Sequence, residues 1–368
     1  MDKRELAAIS TIIGTMIGAG MLALPYAISK SGFFLGLLLI FLLGIASILV
    51  TMFTGELSFR QKRLHQLPVL ISKYTGKSFR SVVLVLQILV FYGIVIAYLI
   101  ALGSAISGLF DVPYYVGVLI AFALSAPLIY KGYASVEAAE TPLSFIKIAL
   151  ILLVISIVVF SIRSDNLTYY NPYTVFQSFG VTLFTVMVFG VVPEVKAELG
   201  NRKEKFNKVM IIAYSISMLV YALFILAFIG AFGNNVQSIA TESINSGAYK
   251  ILFYTITMFL VVTPYIAVSL ILVDAFYYDF SFKRPTSFVL AMAIPLVLAV
   301  LNLNFVTVLG VIGGLLLPIL SLLIIVAVYK ERQTYKKGEY RAPGGIASII
   351  FTVAVMIIGF AYTLVYTL

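Results

Sequence analysis

Two stretches of the chain carry residues that could hold a small polar ligand. The first is Gly14-Thr15-Met16-Ile17-Gly18-Ala19-Gly20, followed by Pro25. Three glycines in seven residues weaken a helix, each by up to about 1 kcal/mol relative to alanine. The second runs from Phe179-Gly180 through Thr182, Phe184, Thr185, Met187 and Phe189 to Gly190 and Pro193. Both lie in strongly apolar surroundings, where a helix can be interrupted only if the break is buried or lines a cavity. An interrupted helix bares N–H groups at the start of its second half, and these suit a carboxylate. Unwound carbonyls and the opposing helix end suit a cation or an ammonium, and an amino acid zwitterion needs both. The competing reading of the first stretch is close helix packing, because Gly14 and Gly18 form a GxxxG pair. The candidate pocket is therefore the backbone at Gly18, Ala19 and Gly20, faced by Thr182, Phe184 and Thr185. Large apolar residues there (Phe184, Met187, Phe189) favour an apolar or aromatic ligand.

Charges inside apolar segments form the second candidate set. Lys147 sits in Ser144-Phe-Ile-Lys-Ile-Ala-Leu. A charge there costs at least about 2.5–3.5 kcal/mol on insertion scales, so an intramembrane lysine is a functional hypothesis by default. Its ammonium could load and release a proton; alternatively it snorkels to the interface. Asp274 and Glu194 stand near the ends of apolar segments, as gate residues pairing with loop lysines or as solvated end charges. Glu56 reads as a solvated end charge. Cysteine is absent and the one histidine, His65, lies in a charged loop, so neither a thiolate nor a histidine metal site is available. No cofactor is expected.

These residues need elements to position them, and composition says which. Of 368 residues, 62% are hydrophobic and 11% charged, with a mean hydropathy of +1.09. A soluble domain averages about 45–50% apolar and about 25% charged, so a water-soluble core is excluded. Apolar runs of 18 or more residues recur, each able to cross a hydrocarbon layer of about 30 Å. They are too long, and too uniformly apolar, for barrel strands of about ten residues. The runs predict helix 1 at 6–28, helix 2 at 32–56, helix 3 at 81–109, helix 4 at 113–131 and helix 5 at 138–162. Helix 6 follows at 173–195, helix 7 at 206–232, helix 8 at 250–278, helix 9 at 286–302, helix 10 at 305–329 and helix 11 at 345–367. The expectation is one transmembrane domain over 1–368, all-α and polytopic, with helix 1 a true span and not a cleaved signal.

With the N-terminus in the cytoplasm, 21 of the 25 Lys and Arg fall in cytoplasmic segments and three outside, while Lys147 lies within a span. That bias is the positive-inside rule, so the net charge of +10 reports topology and not nucleic acid. Eleven spans put the C-terminus outside. Helix 6 lies five spans after helix 1, so a second set of five helices would run upside down relative to the first. Gly/Pro-interrupted spans at matching positions of inverted halves point to a transporter site.

The run from Gly14 to Ala27, followed by Ser31-Gly32-Phe33, closely resembles the helix 1 signature of amino acid/auxin permease-type transporters. It looks most like their prokaryotic hydroxy/aromatic amino acid permease branch, within the amino acid–polyamine–organocation superfamily. Thr263-Pro-Tyr-Ile-Ala-Val-Ser269 leading to Asp274 in helix 8, Gly310, Gly313, Gly314 and Pro318 in helix 10, and Ala97-Tyr98 in helix 3 are similar too. The resemblance implies a LeuT-type fold: repeat 1 at about 6–162, repeat 2 at about 173–329, and an extra helix at 345–367. It also implies cation-driven symport of an amino acid across the cytoplasmic membrane, with Tyr98 as a pocket wall. In related proton-coupled transporters a helix 5 lysine takes the place of a sodium ion between helices 1 and 8. Lys147, with Thr263 and Ser269, would take that part here. Two departures stand out. Val186-Met187-Val188-Phe189 replaces a Phe-Gly-Phe-His-like element, and Pro264 replaces a helix 8 hydroxyl, which favours protons over sodium.

An enzyme is disfavoured, since no nucleophile–histidine–acid set is present and the loops are short. A channel is disfavoured because two unlike broken helices in one chain suit alternating access. An amino-acid-sensing receptor on the same fold remains the rival, with sodium-coupled symport the alternative mechanism. The partners expected are an amino acid substrate and the bilayer, with no nucleic acid and no obligate protein.

Overall fold

The computed structural model describes residues 2–132, 135–200, 202–245, 247–334 and 340–366. Nine helices among them are long and apolar enough to cross a membrane, and a bent pair makes a tenth span. The 17-residue helix Arg284–Val300 completes the eleven, since about 17 residues is the lower limit for spanning. No strand occurs among the described residues.

Helix 1 is two pieces, Lys3–Met16 (1a) and Ala19–Ser29 (1b), bent by 51°. Asp2 caps the start of 1a, its carboxylate accepting from the Arg4 and Glu5 amides at 2.9 and 3.0 Å; such a cap satisfies amides that no preceding turn can reach. At the break Ile17 leaves the helical region (φ −81°, ψ 87°) and Gly18 is extended (φ −145°, ψ −157°). Helix 6 enters through a 3₁₀ turn, Pro172–Ser178, and runs as Phe179–Val186 (6a). Met187 and Val188 then depart from helical angles, and after the 3₁₀ turn Phe189–Val191 the chain resumes as Val192–Leu199 (6b). Pro193 lies in the first turn of 6b, where a missing N–H costs nothing and the ring's fixed φ suits the helix.

The remaining spans are Phe33–Phe59 (helix 2), Lys77–Phe110 (3), Tyr114–Lys131 (4), Ser135–Val158 (5), Phe206–Phe232 (7), Gly247–Asp274 (8), Arg284–Val300 (9), Phe305–Thr334 (10) and Gly345–Tyr366 (11). Helix 10 carries a π-turn at Ile312–Leu316. Helix 6 is the centre of the bundle, 72% of its span buried, against 28% for helices 4 and 11. Exposed residues such as Leu124, Ile346 and Val365 mark the lipid-facing rim.

Glycine sets the closest contacts. A Cβ on Gly313 of helix 10 would strike the Gly180 carbonyl of 6a, and one on Gly180 would strike Gly310. Side-chain-free surfaces of this kind let membrane helices approach backbone to backbone.

One helix goes beyond the sequence expectation. Leu67–Thr75, within the stretch expected to be a charged loop, packs Leu67, Leu70 and Ile71 against the bundle and stops at Gly76 (φ 108°). Nine amphipathic residues give too short an apolar run to register as a span. On the face opposite the N-terminus, the 7–8 loop forms a 3₁₀ turn at Ala240–Ser243.

Candidate functional site

The two breaks meet. A Cβ at Gly20, in the first turn of 1b, would lie 2.6 Å from Thr185 Oγ1 and 3.0 Å from the Phe184 ring. A Cβ at Gly18 would lie 3.2 Å from the Tyr98 hydroxyl. Gly18, Ala19, Gly20, Thr182, Thr185 and Tyr98 are buried and Phe184 is half-buried. The approach of Gly18 to Tyr98 and of Gly20 to Thr185 and Phe184 brings helices 1, 3 and 6 together at the breaks. The Ala19 and Gly20 amides belong to the start of 1b, the positive end of its dipole. Thr182 Oγ1 is buried with no hydrogen-bond partner among the described residues.

The carbonyl ends of 1a and 6a are held from behind by residues that sequence reasoning missed. The Tyr221 hydroxyl of helix 7 lies 2.6 Å from the Met16 oxygen and 3.2 Å from the Thr185 oxygen. Ser47 of helix 2 donates to the Val186 oxygen at 2.6 Å and sits 2.9 Å from the Tyr214 hydroxyl, which is 3.0 Å from Thr51. A carbonyl oxygen has two lone pairs: the Met16 oxygen uses its second on the Gly18 amide at 3.0 Å, whereas the Thr185 and Val186 oxygens at the end of 6a can still accept from a ligand. The available signals were Ser47 and Thr51 one turn apart in an apolar span, and Tyr214 and Tyr221 seven residues apart on one face of helix 7.

Helix 5 passes against helix 1a so closely that a Cβ on Gly14 would meet the Ser144 hydroxyl. Lys147, one turn further, is 3% exposed, so its side chain lies within the bundle and does not snorkel. Helix 5 also packs on helix 8. Thr263 Oγ1 is buried without a hydrogen-bond partner among the described residues. Ser269 is fully buried one turn beyond Tyr265, whose hydroxyl lies 3.3 Å from Ser125 of helix 4. Six residues apart, Thr263 and Ser269 are separated by about 120° around the helix and face different neighbours.

The end charges are arranged differently from expectation. Asp274 is ion-paired with Arg284 at the start of helix 9, not with a loop lysine. Arg284 also donates to the Tyr130 oxygen at 3.2 Å, tying helices 4, 8 and 9 into one corner away from the breaks. Glu194 is exposed in the first turn of 6b; one turn on, Glu198 accepts from Thr11 of 1a at 2.6 Å. Beside it Glu5 pairs with Lys208 at 3.3 Å, and Asp2 pairs with Arg202. Glu56 is not a solvated end charge: it is fully buried, with Arg332 donating to both carboxylate oxygens at 2.8 and 2.7 Å and the Ala342 amide adding a third bond at 2.9 Å. Arg60 and Glu331 form a second buried pair at 2.6 Å. Among the described residues no cluster of His, Asp and Glu could hold a metal ion.

The tryptophan/tyrosine permease family profile matches residues 1–364. The chain belongs to the tryptophan/tyrosine permease family. It is 24% identical to tyrosine-specific transport system 1 of Haemophilus influenzae, over 96% of this chain and 94% of that protein. It is 22% identical to glutamine transporter 2 of Aliivibrio fischeri, over 94% and 95%. The crystal structure of MhsT in complex with L-phenylalanine superposes with a TM-score of 0.70 at 12% identity, covering 98% of both chains. The fold is therefore the LeuT type, and the protein is a multi-pass membrane amino acid permease and not an enzyme.

Proposed function

We propose that the protein is a secondary active transporter that moves an amino acid by proton-coupled alternating access, with the substrate seated at the breaks in helices 1 and 6. The observation that carries this is the approach of Gly20 to Thr185 and Phe184, so close that a Cβ there would lie 2.6–3.0 Å from them, which sets a helix N-terminus beside a helix C-terminus in one buried spot. The substrate carboxylate binds the Ala19 and Gly20 amides, where the dipole favours an anion. Its ammonium takes the spare lone pairs of carbonyls near Thr185, and its side chain lies against Phe184 and Tyr98. An aromatic or other large apolar side chain suits Phe184, Met187 and Phe189. The named substrates of the relatives, tyrosine and glutamine, set the range to try first.

Lys147 carries the coupling proton between helices 1a and 8, with Thr263 on the helix 8 side; Ser269 faces the helix 4 side. Glu194 and the Asp274–Arg284 pair act as gate elements on the cytoplasmic face, the N-terminus being inside and the C-terminus outside the cytoplasmic membrane. The repeats span about 6–162 and 173–329 of a single domain.

The test is counterflow and uptake by purified protein in liposomes, across an amino acid panel, with imposed proton or sodium gradients. Accumulation driven by a proton gradient alone supports the reading. Accumulation driven only by sodium overturns the coupling assignment, and substrate binding with no counterflow makes the protein a sensor.

A further inference from the structure

The 7–8 loop carries a half-buried acid, Glu242, that neither the substrate site nor the helix 5 region uses. Val236, Ile239 and Ala240 are buried and press the loop onto the bundle, and Thr241 Oγ1 meets Thr257 Oγ1 of helix 8 at 2.6 Å. The 3₁₀ turn also packs against helix 1b. That seating carries Glu242 down to Ser104 of helix 3, its hydrogen-bond partner. The other carboxyl oxygen, Oε1, is buried with no hydrogen-bond partner among the described residues. Beside it lies a cavity of about 320 Å³, lined by Glu242, Ile100, Ser104, Tyr114 and the 9–10 corner at Asn302–Phe305.

Among the described residues, the groups around it offer no countercharge. Helix 4 presents Tyr114 and helix 8 presents Tyr254, both phenols; Asp111 at the 3–4 corner is already paired with Lys250 at 2.9 Å. A carboxylate with one oxygen buried and unpartnered and no cation beside it is penalised by desolvation, and such a group sheds its charge by taking a proton.

We propose that Glu242 is a proton-binding switch: protonated, it lets the 7–8 loop stay docked over the cavity, and ionised, it drives the loop to lift. The proton is exchanged with water at the cavity mouth, and no other bond changes. Burial pushes the acid up to about 6 from its ordinary 4.5, against the pull of the Ser104 hydroxyl. Docking that raises an acid's affinity for its proton is fully favoured below about pH 4.5 and loses that support as pH climbs through about 6. A separation of about 1.5 pH between the two forms is worth up to roughly 30-fold in the docking equilibrium.

The chain's lack of cysteine permits a direct test that needs no substrate. Ile100 is buried under the loop at 4% exposure, so Ile100→Cys reports lifting by its reaction with a neutral thiol reagent in nanodiscs. The rate is measured from pH 4.5 to 8 with Glu242 present and with Glu242→Gln, a stand-in for the neutral acid; their ratio cancels the thiol's own titration. The ratio is expected to start at about two at pH 4.5, where the undocked acid is half ionised, and rise to roughly 30-fold, with its midpoint near pH 6. Ser104→Ala, which removes a bond favouring the carboxylate, should move the midpoint upward in the Glu242 protein. A flat ratio, or a midpoint indifferent to Ser104→Ala, overturns the switch. Neither result bears on which ion drives transport.

Discussion

The Tyr221 hydroxyl lies 2.6 Å from the Met16 carbonyl oxygen, so a side chain of helix 7 closes the exposed end of helix 1a. The same hydroxyl reaches the Thr185 oxygen at 3.2 Å, which couples the two breaks through one residue. Tyr221→Phe keeps the ring and removes the hydroxyl. It should destabilise the detergent-solubilised protein by about 1–3 kcal/mol, the usual cost of an unpaired buried polar group, and weaken substrate binding. Thermal unfolding by size-exclusion chromatography and a binding isotherm check both.

Gly20 and Gly190 form a matched pair of substitutions. A Cβ at Gly20 collides with Thr185 and Phe184, whereas one at Gly190 meets nothing within 4 Å. Gly20→Ala should weaken substrate binding at least tenfold, about 1.4 kcal/mol, and Gly190→Ala should leave it within about twofold. Equal effects of the two would show that the contact at Gly20 does not shape the pocket.

Lys147→Ala separates coupling from binding. Proton-driven accumulation should vanish while substrate binding stays measurable by scintillation proximity. Proton-driven uptake at the wild-type level in that variant would remove the coupling role.

Glu56→Gln tests the buried pair with Arg332. Breaking one partner of such a pair leaves an uncompensated charge and costs about 3–5 kcal/mol. The expected result is a large loss of thermal stability with little change in substrate affinity for the fraction that remains folded.

The spans were legible because a lipid-crossing helix must be long and apolar, a local property of the chain. Both breaks were legible from Gly14, Gly18 and Gly20 and from Gly190 and Pro193, since the glycines and proline act on their own backbone. What supports the breaks was not. Tyr221 is one of 23 tyrosines, and nothing along the sequence joins it to Met16, 205 residues away. Glu56 looked like an ordinary end charge because its partner Arg332 is 276 residues distant. Thr263 and Ser269 read as one hydroxyl-rich stretch, while helical geometry turns them to different neighbours. The pairing of Gly180 with Gly313 likewise exists only once helices 6 and 10 are packed.

Helix 11 has a part to play that its place at the rim conceals. A Cβ at Gly359 would run into the Phe179 ring at the start of 6a, so this last helix is notched to take that ring as a socket takes a pin. Beyond the pin, 6a rests on helix 10 through bare glycine backbone at Gly180 and Gly313, and its far end is gripped by Tyr221 at the Thr185 oxygen and by Ser47 at the Val186 oxygen. Half-helix 6a is thus clasped at both ends, so any displacement of it must take the helix 11 socket or the clasp of helices 2 and 7 along.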